Sequence, residues 1–326
     1  MYPILQQDLD VIELYRDFLP ERIFDAHMHL LEETANPGSA FARKTVHLGD
    51  YVTDMKPYYP GVKEIRLNAI PMPERSMLRG SDGESLRDRL NQFVSEEVAK
   101  APENVGEIYV LQGDTREKIE QMADLPGMRG IKCYWFSTGK SDGESCTVAE
   151  FLPEAAWEVA SSRSLPITLH MMHQHALSDE RNFTYITTMA KKYPNAKLIL
   201  AHCARAFAPW TGVESIRRLE DVGNIWFDMA AVCEAPSMMA CILTAKDRVM
   251  WGTDYPICVD HRGRVAAIGG GFVWLEAKHL PESARPTTVI AESLMALRQS
   301  CLLLDLDATQ IQKIFYGNAM ELFGLQ

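Results

Sequence analysis

Two histidines one residue apart, His27 and His29, close the short apolar run in "FDAHMHL". Residues i and i+2 of a strand face the same side, so both imidazoles project together. Other runs end in the same way. "LPITLH" ends at His170, "AKLILAH" at His202 and "VMWGTD" at Asp254, and "RGIKCYW" carries Lys132 near its end. Each residue alone has an ordinary reading. HxH reads as a polar strand edge, His170 or His202 as a hydrogen-bonded core histidine, Asp254 before "YP" as a turn or cap residue, and Lys132 as a snorkelling rim residue. A polar group that ends an apolar strand needs a partner once it is buried. Four or five such strands pointing at one mouth would partner one another through a cation.

Eight short apolar runs could carry these residues: 22–27, 63–70, 107–112, 128–135, 165–170, 196–202, 224–230 and 247–254. Between them lie stretches with helical apolar spacing, such as 147–162, 181–193 and 212–222. Strands alternating with helices imply parallel pairing through right-handed crossovers, and continuous apolar strands imply burial on both faces. Eight such units fit a (β/α)8 TIM barrel better than an open doubly wound sheet, and no GxGxxG phosphate loop supports the latter. Polar strand ends then fall at the C-terminal mouth, where barrels place their chemistry. Residues 71–106 form a long βα-loop insertion with a helix near 85–101, read either as a lid or wall of the site or as a surface excursion. Residues 280–326 read as C-terminal helices. With no linker-like tract, 1–326 reads as a single domain.

The composition is that of an ordinary soluble chain of 326 residues, 47% hydrophobic and 24% charged. A net charge of −11 argues against nucleic acid and anionic membranes, which select a basic face. The seven cysteines are scattered and odd in number, without CxxC, as expected of a reduced cytoplasmic chain. The amphipathic N-terminus lacks a signal-peptide pattern, and no run of eighteen apolar residues spans a membrane.

At "FDAHMHL", "RGIKCYW", "ITLH", "LILAHCAR", "MWGTDYP" and "IFYGNAMELFGL" the chain resembles the amidohydrolase superfamily. It is most similar to the amidohydrolase-2 branch, which includes decarboxylases and lactone hydrolases. The resemblance runs from about residue 22 to 325. It implies a barrel with a divalent metal at the C-terminal mouth, most often one Zn2+, with Mn2+ as the alternative. Carried over by position, His27, His29, His170 and Asp254 would be the ligands, leaving an open position for water. Asp254 would also serve as general base, and His202 would polarise the substrate, shuttle a proton or ligate. In binuclear relatives a carboxylated lysine bridges two metals, so Lys132 and His202 would join the set if a second metal were present. The one-metal reading is preferred, with Lys132 as an ammonium that grips a substrate carboxylate.

Substrate contacts must come from the loops. Arg205, three residues after His202, suits bidentate carboxylate binding, or an ion pair with a structural acid. Tyr134, His173 and His175 could line the pocket or serve only their loops. Lys132 and Arg205 together would select an anionic small molecule. The leading expectation is hydrolysis of a small carboxylated lactone, ester or amide by metal-activated water. The alternative is nonoxidative decarboxylation of an aromatic or unsaturated acid; a metal-free lactonase and a noncatalytic ligand-binding barrel are further readings. A homodimer is compatible with such a barrel.

Overall fold

The computed structural model describes residues 3–36, 43–74, 82–269 and 271–325. Its centre is an eight-stranded parallel sheet in sequential order: β1 (Arg22–Leu30), β2 (Glu64–Pro71), β3 (Val105–Val110), β4 (Met128–Cys133), β5 (Pro166–Leu169), β6 (Lys197–Leu200), β7 (Ile225–Asp228) and β8 (Val249–Met250). The sheet closes on itself where β1 meets the segment after β8. Ala26 N–H donates to the Trp251 carbonyl at 3.0 Å, and Asp254 N–H to that of His27 at 2.8 Å. His29 N–H donates to the Tyr255 carbonyl at 2.7 Å. A helix follows each strand, so the fold is the expected (β/α)8 barrel, with further helices at the C-terminal end.

The helices form where apolar spacing and caps agree. Glu180–Lys192 begins on Asp179, whose carboxylate accepts from the N–H groups of Arg181 and Asn182. It buries Phe183, Ile186, Met189 and Ala190 on one face and ends with Lys191 and Lys192 near its C-terminal carbonyls. The helical stretch expected at 147–162 is broken. Pro153 disfavours helix at the residue before it, giving a 3-10 turn, Val148–Glu150, and then a helix, Glu154–Arg163. The insertion after β2 contains the helix Gly83–Lys100, and residues 75–81 lie outside the described residues.

The interior of the barrel has two ends of different character. At the N-terminal end Phe24, Ala26, Val105, Ile199, Trp226 and Met250 pack on Tyr316, Ala319, Met320, Leu322 and Phe323 of the C-terminal helices. The rings of Phe24 and Phe323 stack 5.6 Å apart. A register shift in β1 between Asp25 and Met28 changes which residues face inward. Phe24 and Ala26 line the plugged end, and beyond the shift His27 and His29 face the open one.

A feature that strand and helix periodicity alone did not announce follows β8. Strands β9 (Gly263–Ile268) and β10 (Gly271–Glu276) form an antiparallel hairpin. Phe272 and Trp274 of β10 lean on Phe207, at ring distances of 4.9 and 6.4 Å. The alternating run "RVAAIGGGFVWLE" was the signal for it: two strand-like stretches joined at glycines.

Candidate metal centre

Four histidine rings form an arc at the C-terminal mouth. Successive centroids, His29 to His27, His27 to His202 and His202 to His170, are each 4.9 Å apart. Asp254 sits against one end. Its Oδ1 is 3.0 Å from His29 Nε2 and 3.7 Å from His27 Nε2. His27, His29, His202 and Asp254 are all buried.

The backbone is shaped to bring them together. Gly252 is needed because a Cβ there would stand 2.9 Å from His27 Cβ. After β6 the chain enters a left-handed turn, with φ of 57°, 51°, 60° and 59° at His202, Cys203, Ala204 and Arg205. Asp254 also has positive φ, 63°. Such conformations cost non-glycine residues roughly 1–2 kcal/mol each, and strain of this kind gathers at functional sites.

Hydrogen-bond partners fix the tautomers. His27 Nδ1 lies 2.9 Å from Asp228 Oδ2, an acceptor, so this nitrogen carries the hydrogen and Nε2 presents a lone pair. His202 Nδ1 lies 2.8 Å from the Ala230 carbonyl, with the same result. Asp228 also anchors the backbone. Its Oδ1 accepts from the N–H groups of His202 and Ala230, at 2.9 and 3.1 Å. His202 Nε2 then presents its lone pair, with His170 Nδ1 3.0 Å away.

These bonds leave acceptors facing acceptors. His27, His202 and Asp254 each offer a ligand atom, and the three atoms lie within 4.8 Å of one another. His29 Nε2 joins them, 3.2 Å from His27 Nε2. Two imidazole lone pairs and a carboxylate converging in a buried site need a cation or proton between them, and the nitrogen-rich set suits a divalent transition metal. The outer partners Asp228 and Ala230 are of the type that orients metal-ligating imidazoles. The residues present therefore fit a metal.

The titration behaviour agrees. Burial, reinforced by the charges of Lys132 and His202, holds His27 well below the usual histidine value. Burial also lowers His29, with Asp254 opposing, and lowers His170 together with the charges of His202 and Lys132. Burial opposes ionisation of Asp254, but the bond from His29 and the neighbouring histidines outweigh it and hold the carboxyl below its normal range. Neutral imidazoles and an ionised carboxylate are the protonation states a metal requires.

The other expected residues take varied positions. His170 is half-buried at the far end of the arc, its Nε2 beside the Met172 sulfur at 3.1 Å. His202 belongs to the compact donor set, and His170 Nδ1 stands 3.0 Å from its Nε2. Tyr134 places its hydroxyl 3.5 Å from His29 Nδ1 and donates to the Pro71 carbonyl. His173 pairs with Arg181 and Asp179, and exposed His175 packs edge-on against Trp210. Arg205 is buried and bonded to Glu144.

Lys132 is fully buried in the barrel, and its ammonium has no hydrogen-bond partner among the described residues. Burial lowers its pKa, while the charges of Glu107, Asp228 and Asp254 oppose the shift. Glu107 escaped the sequence reading. It is buried on β3, passes over Gly130, and accepts from Thr168 and Asn68 at 2.6 and 2.7 Å. Burial raises it to about 7, against the pull of Lys132. Its signal was a lone acid at the head of an apolar run.

No curated protein sequence matches the chain. Its fold resembles several solved structures. A 5-carboxyvanillate decarboxylase from Sphingomonas paucimobilis superposes with a TM-score of 0.59 at 12% identity, over 94% of this chain and 100% of that one. A dihydroxybenzoic acid decarboxylase from a Polaromonas species, solved with manganese and 2-nitroresorcinol, gives 0.60 at 15% identity, over 94% and 97%. An amidohydrolase 2 from Bifidobacterium longum subsp. infantis gives 0.56 at 11% identity, over 94% and 100%. The amidohydrolase family model matches residues 24–325, nearly the whole barrel, and the chain belongs to that family.

Proposed function

We propose that the protein is a metal-dependent decarboxylase of an aromatic carboxylic acid. The observation that carries this reading is the convergence of His27, His29, His202 and Asp254, with two lone pairs and an anionic carboxylate turned to one point. These four residues would hold one divalent cation, zinc or manganese. When bound, the cation supplies positive charge that holds an anionic substrate and draws electron density toward its oxygens.

The chain's own residues do the rest. Asp228 and the Ala230 carbonyl keep His27 and His202 in ligating tautomers. Buried Lys132 adds a positive charge beneath the site, which favours a carboxylate substrate. In the reaction the bond between ring carbon and carboxyl carbon breaks, its electron pair stays on the ring, and carbon dioxide leaves. A proton must then reach the ring carbon, and His170, beside His202 at the end of the arc, lies where it can hold and pass one. Likeness of fold to decarboxylases of hydroxylated benzoates supports this reading over hydrolysis.

Hydrolysis of a carboxylated lactone uses the same donors, but the proton goes to a leaving oxygen or nitrogen. The test is an assay of metal-loaded protein on 2,6-dihydroxybenzoate, 5-carboxyvanillate and a set of sugar and pyrone lactones. Carbon dioxide release that stops on chelation supports the proposal. Lactone opening without carbon dioxide release overturns it.

A further inference from the structure

The outer nitrogens of the donor histidines are served unequally. Those of His27 and His202 face fixed acceptors, the Asp228 carboxylate and the Ala230 carbonyl. Each ring therefore keeps its hydrogen at Nδ1 and turns a lone pair inward, with or without a cation. His29 is held otherwise. Its inner nitrogen, Nε2, lies 3.0 Å from Asp254 Oδ1 and 3.2 Å from His27 Nε2. Both neighbours are acceptors, so this geometry puts the His29 hydrogen on Nε2, where a cation would have to bind. A neutral imidazole carries one N–H. Ligation through Nε2 therefore requires the hydrogen at Nδ1.

The group that meets His29 Nδ1 is the Tyr134 hydroxyl, 3.5 Å away. The same oxygen lies 3.2 Å from the Pro71 carbonyl and 3.8 Å from the Met72 sulfur. Pro71 is the last residue of β2, so its carbonyl is fixed by the barrel. The buried Tyr134 ring is held from three sides. Phe136 stacks on it at 5.8 Å, Tyr109 meets it edge-on at 5.4 Å, and Lys132 Nζ lies 5.0 Å from its centroid. With the ring locked, only the hydroxyl hydrogen is free to turn. A hydroxyl does for Nδ1 what a carboxylate or a carbonyl cannot, because it both donates and accepts. Toward a bare Nδ1 it donates. Toward Nδ1–H it accepts, and its own hydrogen goes to the Pro71 carbonyl. Neither tautomer then leaves a buried polar atom unpaired, which would be costly at this depth.

We propose that Tyr134 is a positioning residue for His29: its hydroxyl turns from donor to acceptor as the His29 hydrogen passes from Nε2 to Nδ1, and so lets His29 ligate. One hydrogen leaves Nε2 and one arrives at Nδ1, so His29 stays neutral and releases no net proton. His27 and His202 are preset donors, and His29 is the donor that adapts. The inference rests on the metal reading of the centre and not on which reaction the centre serves.

The test is zinc affinity by competition with a chelator, in wild type and Tyr134→Phe, joined to nitrogen NMR of the full chain isotope-labelled at its histidines. Tyr134→Phe keeps every ring contact and removes only the oxygen. Zinc affinity should fall roughly 10–100-fold. A tyrosine that only packs would leave it unchanged. In wild type the spectra should show the His29 hydrogen on Nε2 without zinc and on Nδ1 with it, and Nδ1 hydrogen-bonded in both states. His27 and His202 should keep theirs on Nδ1 throughout. A His29 hydrogen that stays on one nitrogen overturns the proposal, as does an Nδ1 without a hydrogen bond in either state. These spectra decide the matter even if Tyr134→Phe misfolds, because they are read on wild type. Equal zinc affinity in wild type and Tyr134→Phe overturns the role of Tyr134 alone. Wild type that binds no zinc overturns the metal reading, and this proposal with it.

Discussion

The two ends of the barrel are built from the same strands and do opposite things. β1 offers Phe24 and Ala26 to the N-terminal end and His27 and His29 to the other. β6 offers Ile199 below and leads to His202 above. β7 offers Trp226 below and Asp228 above, and β8 offers Met250 below and leads to Asp254 above. The lower end is apolar and closed by the C-terminal helices. The upper end concentrates positive φ angles at His202–Arg205, Ala231 and Asp254. Packing fixes the lower end, while polar convergence shapes the upper one at a cost in backbone strain. The separation can be broken experimentally.

The largest effect is expected at the upper end. His27→Ala removes a donor from a set of four, and metal content measured by elemental mass spectrometry should fall from about one equivalent to near zero. Turnover should drop on the order of a thousandfold or more, since the cation supplies several kcal/mol of stabilisation. Metal retained in this variant would remove His27 from the centre. At the lower end Phe323→Ala opens a cavity beside Phe24, and denaturant unfolding should show a loss of about 3–5 kcal/mol. Metal bound per folded chain should not change. If it falls too, the two ends are not separable.

The difference also explains what the sequence disclosed. Strand-end polarity was legible because His27, His29, His202 and Asp254 each interrupt an apolar run, and alternating helices announced the barrel. The parity change in β1 was not legible, since a register shift depends on β2. Nor was the place of His202 beside His27, because four consecutive left-handed residues redirect the chain after β6. Glu144 meets Arg205 from 61 residues away on a short turn, a pairing that no local pattern encodes. The C-terminal helices were expected, but their role as a plug emerges only when the barrel closes above them.

Asp228 tests how the strand above the plug governs the donors. Its two oxygens accept from His27 Nδ1–H on one side and from two backbone N–H groups on the other. Asparagine cannot accept on both sides. If its oxygen stays with the backbone, its amide faces Nδ1 and drives the His27 hydrogen to Nε2, where a cation must bind. Metal affinity in Asp228→Asn, measured by competition with a chelator, should weaken by roughly 10–100-fold. Unchanged affinity would mean that His27 does not ligate through Nε2.

The smallest effect lies midway between the ends, at Glu107. This buried carboxyl is raised to about 7 from an unfolded value of 4.5. Below the unfolded value both states are protonated, and the group imposes no penalty. As pH rises, the unfolded chain releases the proton first, so stability is lost until the folded carboxyl ionises near 7. Glu107→Gln stays neutral throughout. Wild type should therefore lose about 1–2 kcal/mol relative to the variant between roughly pH 5 and 8, followed by denaturant unfolding. Parallel curves would mean that Glu107 ionises normally, with Lys132 as its full counter-charge. The polar character of the upper end would then extend deeper into the barrel than the strand-end histidines.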